Sequence, residues 1–124
     1  MLNKLTKDFY IENRKKYAKL VKDNSITVIS SGTIQNSSAD EDFDFEVDKN
    51  FYYLTGINQE EVTFVLTKIN GVVKEYLFIV KNDPIKVKWL GAKLEKDEAK
   101  NLSGLENILY DDNYIEDIKK MITS

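Results

Sequence analysis

Residues 62–69 and 72–80 form two apolar, β-branched runs joined by nothing but Asn70-Gly71. A two-residue hairpin loop of the favoured type I′ needs both central residues in the left-handed region, and Asn-Gly enters that region with the least strain. An antiparallel hairpin is therefore the firmest local constraint on what this chain can fold into. Around Phe64-Val65-Leu66 and Leu77-Phe78-Ile79 both strands are apolar on both faces. Strands of that kind belong in the middle of a sheet layered with helices.

The first helix is expected from about residue 6 to residue 23, with Thr6 as its cap, Asp8 in the first turn and Lys19 and Lys22 in the last. Phe9, Tyr10, Asn13, Tyr17, Leu20 and Val21 recur near helical spacing, and the basic run Arg14-Lys15-Lys16 reads as part of the solvated face. Ile26-Thr27-Val28-Ile29 predicts a short strand, and its lack of polar positions predicts cover on both faces. Residues 30–47 have no regular period and are rich in Ser, Asn and Asp. A loop of that length exceeds an ordinary connection and favours a functional segment over a linker.

That loop runs into Asp48-Lys49-Asn50-Phe51-Tyr52-Tyr53-Leu54-Thr55-Gly56. Asp48 suits an N-cap and Gly56 suits a left-handed helix end. Three consecutive aromatics are each stabilised by a few kcal/mol on burial, so a short helix clamped into the core, an aromatic knot, is expected. After the hairpin, Pro84 marks the exit of the strand, and residues 86–91 carry the single tryptophan, Trp89, with no regular element assigned. A helix over residues 95–102 closed by Gly104 follows. Next come a weak strand over residues 108–110 and a final helix with Ile115, Ile118, Met121 and Ile122 on one face. The fold class is α/β: one domain with a mixed β-sheet flanked by helices.

The chain has neither cysteine nor histidine. Disulfides, thiolate and histidine metal sites, the usual general base and the serine and cysteine triads are thereby excluded. A reducing, cytosolic compartment and a chain without autonomous catalysis are the expectations. A net charge of -3 gives no nucleic-acid footprint. No apolar run approaches membrane-spanning length, and the N-terminus has no signal-peptide core.

Asp40, Glu41, Asp42, Asp44, Glu46 and Asp48 are the first metal candidates. A calcium loop begun at Asp40 needs glycine and glutamate where Phe45 and Phe51 stand, so that pattern fails. From Asp42 to Asp48 the acids alternate with Phe43, Phe45 and Val47, which suits an extended segment with its apolar side inward. A solvated acidic face is the plain reading, and a role in binding or gating is the functional one. Carboxylate pairs of glycosidase type are plentiful, but sequence does not set their separation. The scattered glycines form no phosphate loop. Trp89, flanked by Lys86, Lys88 and Lys93, either closes the sheet edge as a half-buried side chain or projects to line a ligand or partner surface.

Together Ser38-Ala39-Asp40, the stretch from Asp48 to Gly56, the apolar strand after it, and Trp89-Leu90-Gly91 before Asp97-Glu98-Ala99 resemble the N-terminal domain of aminopeptidase P. Prolidase and creatinase are more distant members of the same family. The resemblance covers nearly the whole chain, and Phe51-Tyr52-Tyr53-Leu54-Thr55-Gly56 is its most specific part. It implies a cytosolic metallopeptidase that releases an N-terminal residue preceding proline. In that family catalysis belongs to a C-terminal domain of pita-bread fold, where two divalent ions, usually manganese, activate a water. None of that domain lies within this sequence, so the chain ending at Ser124 reads as a truncated piece. The resemblance further implies a homo-oligomer in which this domain lines the mouth of the active-site cavity. Asp40 and Trp89 match positions near a neighbouring subunit's active site and are the substrate-access candidates. Phe45-Glu46-Val47 departs from the family where many members carry an arginine. A stand-alone interaction domain of the same fold, or a prolidase or creatinase relative, is the alternative.

Overall fold

The computed structural model describes residues 6–33 and 45–123. The elements are α1 (Lys7–Leu20), β1 (Ser25–Ser30), α2 (Lys49–Thr55), β2 (Thr63–Ile69), β3 (Val72–Ile79), α3 (Pro84–Leu90), α4 (Lys96–Ser103), β4 (Ile108–Tyr110) and α5 (Tyr114–Thr123). The strands lie side by side in the order β1-β2-β3-β4. The first two pairings are antiparallel and β3 runs parallel to β4, which makes the sheet mixed, as expected. Asn70 and Gly71 both sit at positive φ, 50° and 79°, in the predicted hairpin turn. Asp23 Oδ1 accepts from the Gly71 N–H at 2.8 Å and Asn24 Oδ1 from the Asn70 N–H at 3.2 Å, which ties this turn to the one before β1.

β2 and β3 are the central strands, and period-two alternation divides their side chains between two layers. Phe64, Leu66, Leu77 and Ile79 point into the main core with Phe51 and Leu54 of α2, Ala99 of α4, and Leu105. Val65 and Phe78 meet Ile118 and Met121 of α5 on the other side. There the Phe78 and Tyr114 rings pack edge-on at 4.8 Å. The expected cover on both faces of β1 is corrected. Among the described residues β1 is an edge strand paired with β2 alone, and α5 packs on the central strands. Ile26 and Val28 are left 37% and 48% exposed. An apolar run alone does not distinguish a fully covered strand from a half-covered one. α5 carries the same lesson. Of its four apolar residues, Ile118 and Met121 pack against the sheet, whereas Ile115 and Ile122 stay exposed.

α2 begins as expected, with the Asp48 carboxylate accepting from the Phe51 N–H at 2.9 Å. The aromatic knot, however, is smaller than predicted. Successive residues turn by about 100° around a helix, so Phe51, Leu54 and Thr55 face the core. Tyr52 and Tyr53 remain 39% and 47% exposed.

α1 holds this short helix by its end. The last carbonyls of a helix have no partner within it, and here Asn13 Nδ2 donates to the Tyr53 carbonyl and Arg14 Nη1 to that of Leu54, both at 2.8 Å. The basic run is therefore not one solvated face: Arg14 is buried, and only Lys15 and Lys16 face solvent. Arg14 Nε lies 3.3 Å from Glu75 Oε2, an ion pair in which Nε makes no hydrogen bond. Burial lowers the guanidinium's pKa, and the charge of Glu75 opposes the shift. Arg14→Ala removes the partner of a buried carbonyl together with a buried long side chain. An expected loss of about 3 kcal/mol should appear as a lower urea midpoint. Lys15→Ala and Lys16→Ala should stay within about 0.5 kcal/mol.

α1 ends at Leu20, earlier than expected, and Lys68 Nζ there meets the Ala18 and Val21 carbonyls at 3.0 and 3.2 Å. Thr6 stands at the cap position without a side-chain cap bond. α1 also crosses the C-terminal ends of α2 and α4. Gly56 and Gly104 end those helices at φ 70° and 77°. A Cβ on Gly56 would run into the Tyr10 ring, and one on Gly104 into Ile11. Tyr10 itself is buried, and its pKa is pushed up to about 12 by that burial and then by the neighbouring Tyr52 hydroxyl.

Candidate functional site

Trp89 belongs to a helix where the sequence pattern assigns no regular element. Asp83 Oδ1 accepts from the Ile85 N–H at 2.9 Å, Pro84 occupies the first turn, and the Gly91 N–H closes the helix on the Val87 carbonyl at 3.0 Å. An aspartate cap, a proline in the first turn and a terminal glycine are ordinary helix boundaries. Those signals stand in the sequence, but the helix they bound has only seven residues, about two turns. α3 stands outside the sheet, so Trp89 does not close a sheet edge. Ile85 and Trp89 are four residues apart, share one helical face, and project together. Trp89 is 77% exposed, and Lys86 and Lys88 beside it are exposed as well. Only Val87 is described as partly turned inward.

The feet of this excursion are tightly bonded. Asn82 Nδ2 donates to the Lys93 carbonyl and Asn82 Oδ1 accepts from the Lys93 N–H, both at 2.8 Å. The Leu94 N–H donates to Gln59 Oε1 at 2.8 Å, and Lys93 Nζ lies 3.4 Å from Glu60 Oε1.

The other substrate-access candidate, Asp40, lies outside the described residues, as do Glu41, Asp42, Phe43 and Asp44. The described end of that loop keeps the predicted alternation: Phe45 and Val47 are half-buried, and Glu46 and Asp48 are exposed. Val47 packs on the main core, and the Asp48 N–H bonds the Ser31 carbonyl at 3.0 Å, which fixes the entry into α2. Among the described residues no group of three or more acidic, histidine or cysteine side chains is placed to hold a metal ion. The described side chains therefore do not fit the metal centre that the resemblance implies for the family. An open hollow of about 660 Å³ between α1 and β3 is lined by mixed charges, and one of about 680 Å³ beside Gly56 by Tyr10, Tyr52 and Leu102 together with the polar Thr6, Lys7 and Asn101. Among the described residues no helix is long and apolar enough to cross a membrane.

By architecture the molecule is one α/β domain, a four-stranded mixed sheet between helices, with the most exposed of its described aromatics on the short helix α3. It belongs to the aminopeptidase P N-terminal domain family, whose profile matches residues 10–124. A Xaa-Pro aminopeptidase of Haemophilus influenzae is 29% identical over 96 residues, which is 77% of this chain. The mitochondrial intermediate cleaving peptidase 55 of Arabidopsis thaliana is 29% identical over 111 residues, 82% of the chain. A Bacillus anthracis protein assigned as an aminopeptidase P superposes with a TM-score of 0.90 at 34% identity over 96% of the chain. The chain spans 22% of the length of each of these two curated relatives and 28% of that structure.

Proposed function

We propose that this chain is the non-catalytic N-terminal domain of a Xaa-Pro aminopeptidase. In this reading the parent protein releases an N-terminal residue preceding proline. The chemistry belongs to a separate catalytic domain of that parent, with two divalent ions, manganese by preference. This domain contributes subunit contacts in a homo-oligomer and narrows substrate entry. Trp89 and Asp40 are the side chains assigned to that entrance. The observation that carries the reading is the Ile85–Trp89 ridge: a large aromatic held out in solvent on a family domain that lacks histidine and cysteine altogether. Exposed tryptophan is a typical interface anchor. An acidic rim at that entrance would attract a peptide's free α-amino group, an effect that salt weakens. The absence of cysteine favours a cytosolic setting, although the Arabidopsis relative is mitochondrial.

The purified chain supplied with manganese is expected to release no amino acid from Xaa-Pro peptides. The parent protein is expected to cleave only when proline stands second. Turnover by the chain alone would overturn the assignment of chemistry to another domain. Cleavage by the parent regardless of the second residue would favour the second reading, a processing peptidase like the relative named for cleaving intermediates.

A further inference from the structure

We propose that Asn82 is a positioning residue for Trp89, a staple that closes the base of the α3 excursion and sets the orientation of its exposed ridge. The inference rests on the proposed entrance role of Trp89 for its functional meaning, but the staple itself stands on geometry.

α3 has little of its own to hold it. Seven residues are too few to be stable as an isolated helix. Pro84, Ile85, Lys86, Lys88 and Trp89 are all exposed and, among the described side chains of the helix, Val87 alone is partly turned inward, so these side chains offer little packing to fix the direction in which the helix points. That direction must come from where the segment leaves and rejoins the domain. Both points are gathered by one side chain. The Asn82 amide donates to the Lys93 carbonyl and accepts from the Lys93 N–H, the same reciprocal pair that two antiparallel strands exchange. Residues 83–92 are thereby closed into a short loop whose ends are fixed together, which removes most of the freedom of the chain between them. Gln59 continues the anchorage by accepting from the Leu94 N–H, and the Lys93–Glu60 ion pair lies beside it. Asparagine is specific here. The neutral amide offers one donor and one acceptor at the same reach, whereas an ionised aspartate accepts only and alanine does neither.

Trp89 is the only tryptophan, so its fluorescence reports this helix alone. In time-resolved anisotropy of the chain, wild-type Trp89 should decay mainly with the tumbling of the whole domain. Asn82→Ala should add a nanosecond component that carries about half of the amplitude or more, because freed loops move on nanosecond scales. Asn82→Asp provides the chemical rescue. At neutral pH its carboxylate keeps the Lys93 N–H bond but loses the donor, so its decay should fall between those of wild type and Asn82→Ala, and on acidification its protonated carboxyl regains a donor for the Lys93 carbonyl. Its decay should then return towards that of wild type measured at the same pH. An Asn82→Ala decay indistinguishable from wild type would overturn the staple, as would an Asn82→Asp decay that ignores pH. In the parent protein Asn82→Ala should lower kcat/KM about as much as Trp89→Ala, on the order of 10-fold. A freed Trp89 with unchanged kcat/KM would instead overturn the entrance role and leave the staple standing.

Discussion

Phe51→Ala is expected to destabilise the domain by about 3–5 kcal/mol, the cost of removing a fully enclosed aromatic ring. Phe51 has no exposed surface and lies in the main core with Leu54, Phe64 and Leu77. A domain of this kind is stable by only about 5–15 kcal/mol, so the substitution should shift the urea midpoint steeply and leave little folded protein on warming. Tyr52→Ala and Tyr53→Ala are expected to lose about 1 kcal/mol or less. Tyr52 gives up an edge contact with Tyr10 at 6.0 Å and its hydroxyl's interaction with the Tyr10 hydroxyl, and Tyr53 is nearly half exposed. Three adjacent aromatics of similar size should therefore give one large effect and two small ones. Equal losses at all three positions would contradict the helix phase.

Gly56→Ala is expected to lose about 2–5 kcal/mol through two separable effects. A left-handed backbone costs an alanine roughly 1–2 kcal/mol, and forcing a methyl group into a filled contact costs about 1–3 kcal/mol more. Gly71 isolates the first effect. It sits at a similar φ of 79°, but a Cβ there meets nothing within 4 Å. Gly71→Ala should thus show only the backbone part, about 1 kcal/mol, in the same denaturation experiment. Gly104→Ala should fall between them, because the obstacle is the end of the flexible Ile11 side chain rather than a ring.

The sequence was most legible where local chemistry decides the outcome. Asn70-Gly71 specified its turn, Asp48 and Gly56 bounded α2, and the doubly apolar runs fell at the centre of the sheet. What it hid depended on contacts between distant segments. The partner of Arg14 is a carbonyl 40 residues away, and nothing in Arg14-Lys15-Lys16 marks one cation as internal. Whether β1 has one covered face or two depends on how far α5 reaches, a matter of layer geometry. The burial of Phe51 and exposure of Tyr52 and Tyr53 follow from helical phase once the core side is known, and the core side is set by α1 and the sheet. The lysine flanks of Trp89 mark it as a surface residue, and it is one. Its helix is hard to see in the sequence because about two turns leave almost no periodicity. The bonds of Asn82, Gln59 and Lys93 had no sequence signal at all. Asp40 remains a candidate from the family pattern, with its position outside the described residues.

The most direct measurement compares kcat/KM on Xaa-Pro peptides for the parent protein and its Trp89→Ala and Asp40→Ala variants, with folding checked in parallel. Trp89 is largely free of packing, so its replacement should leave the unfolding midpoint within about 0.5 kcal/mol of wild type. If this domain shapes the entrance, kcat/KM should fall by about 10-fold in Trp89→Ala, and in Asp40→Ala the loss should shrink as salt is added. Kinetics unchanged in both variants, with the oligomer intact, would contradict the entrance role.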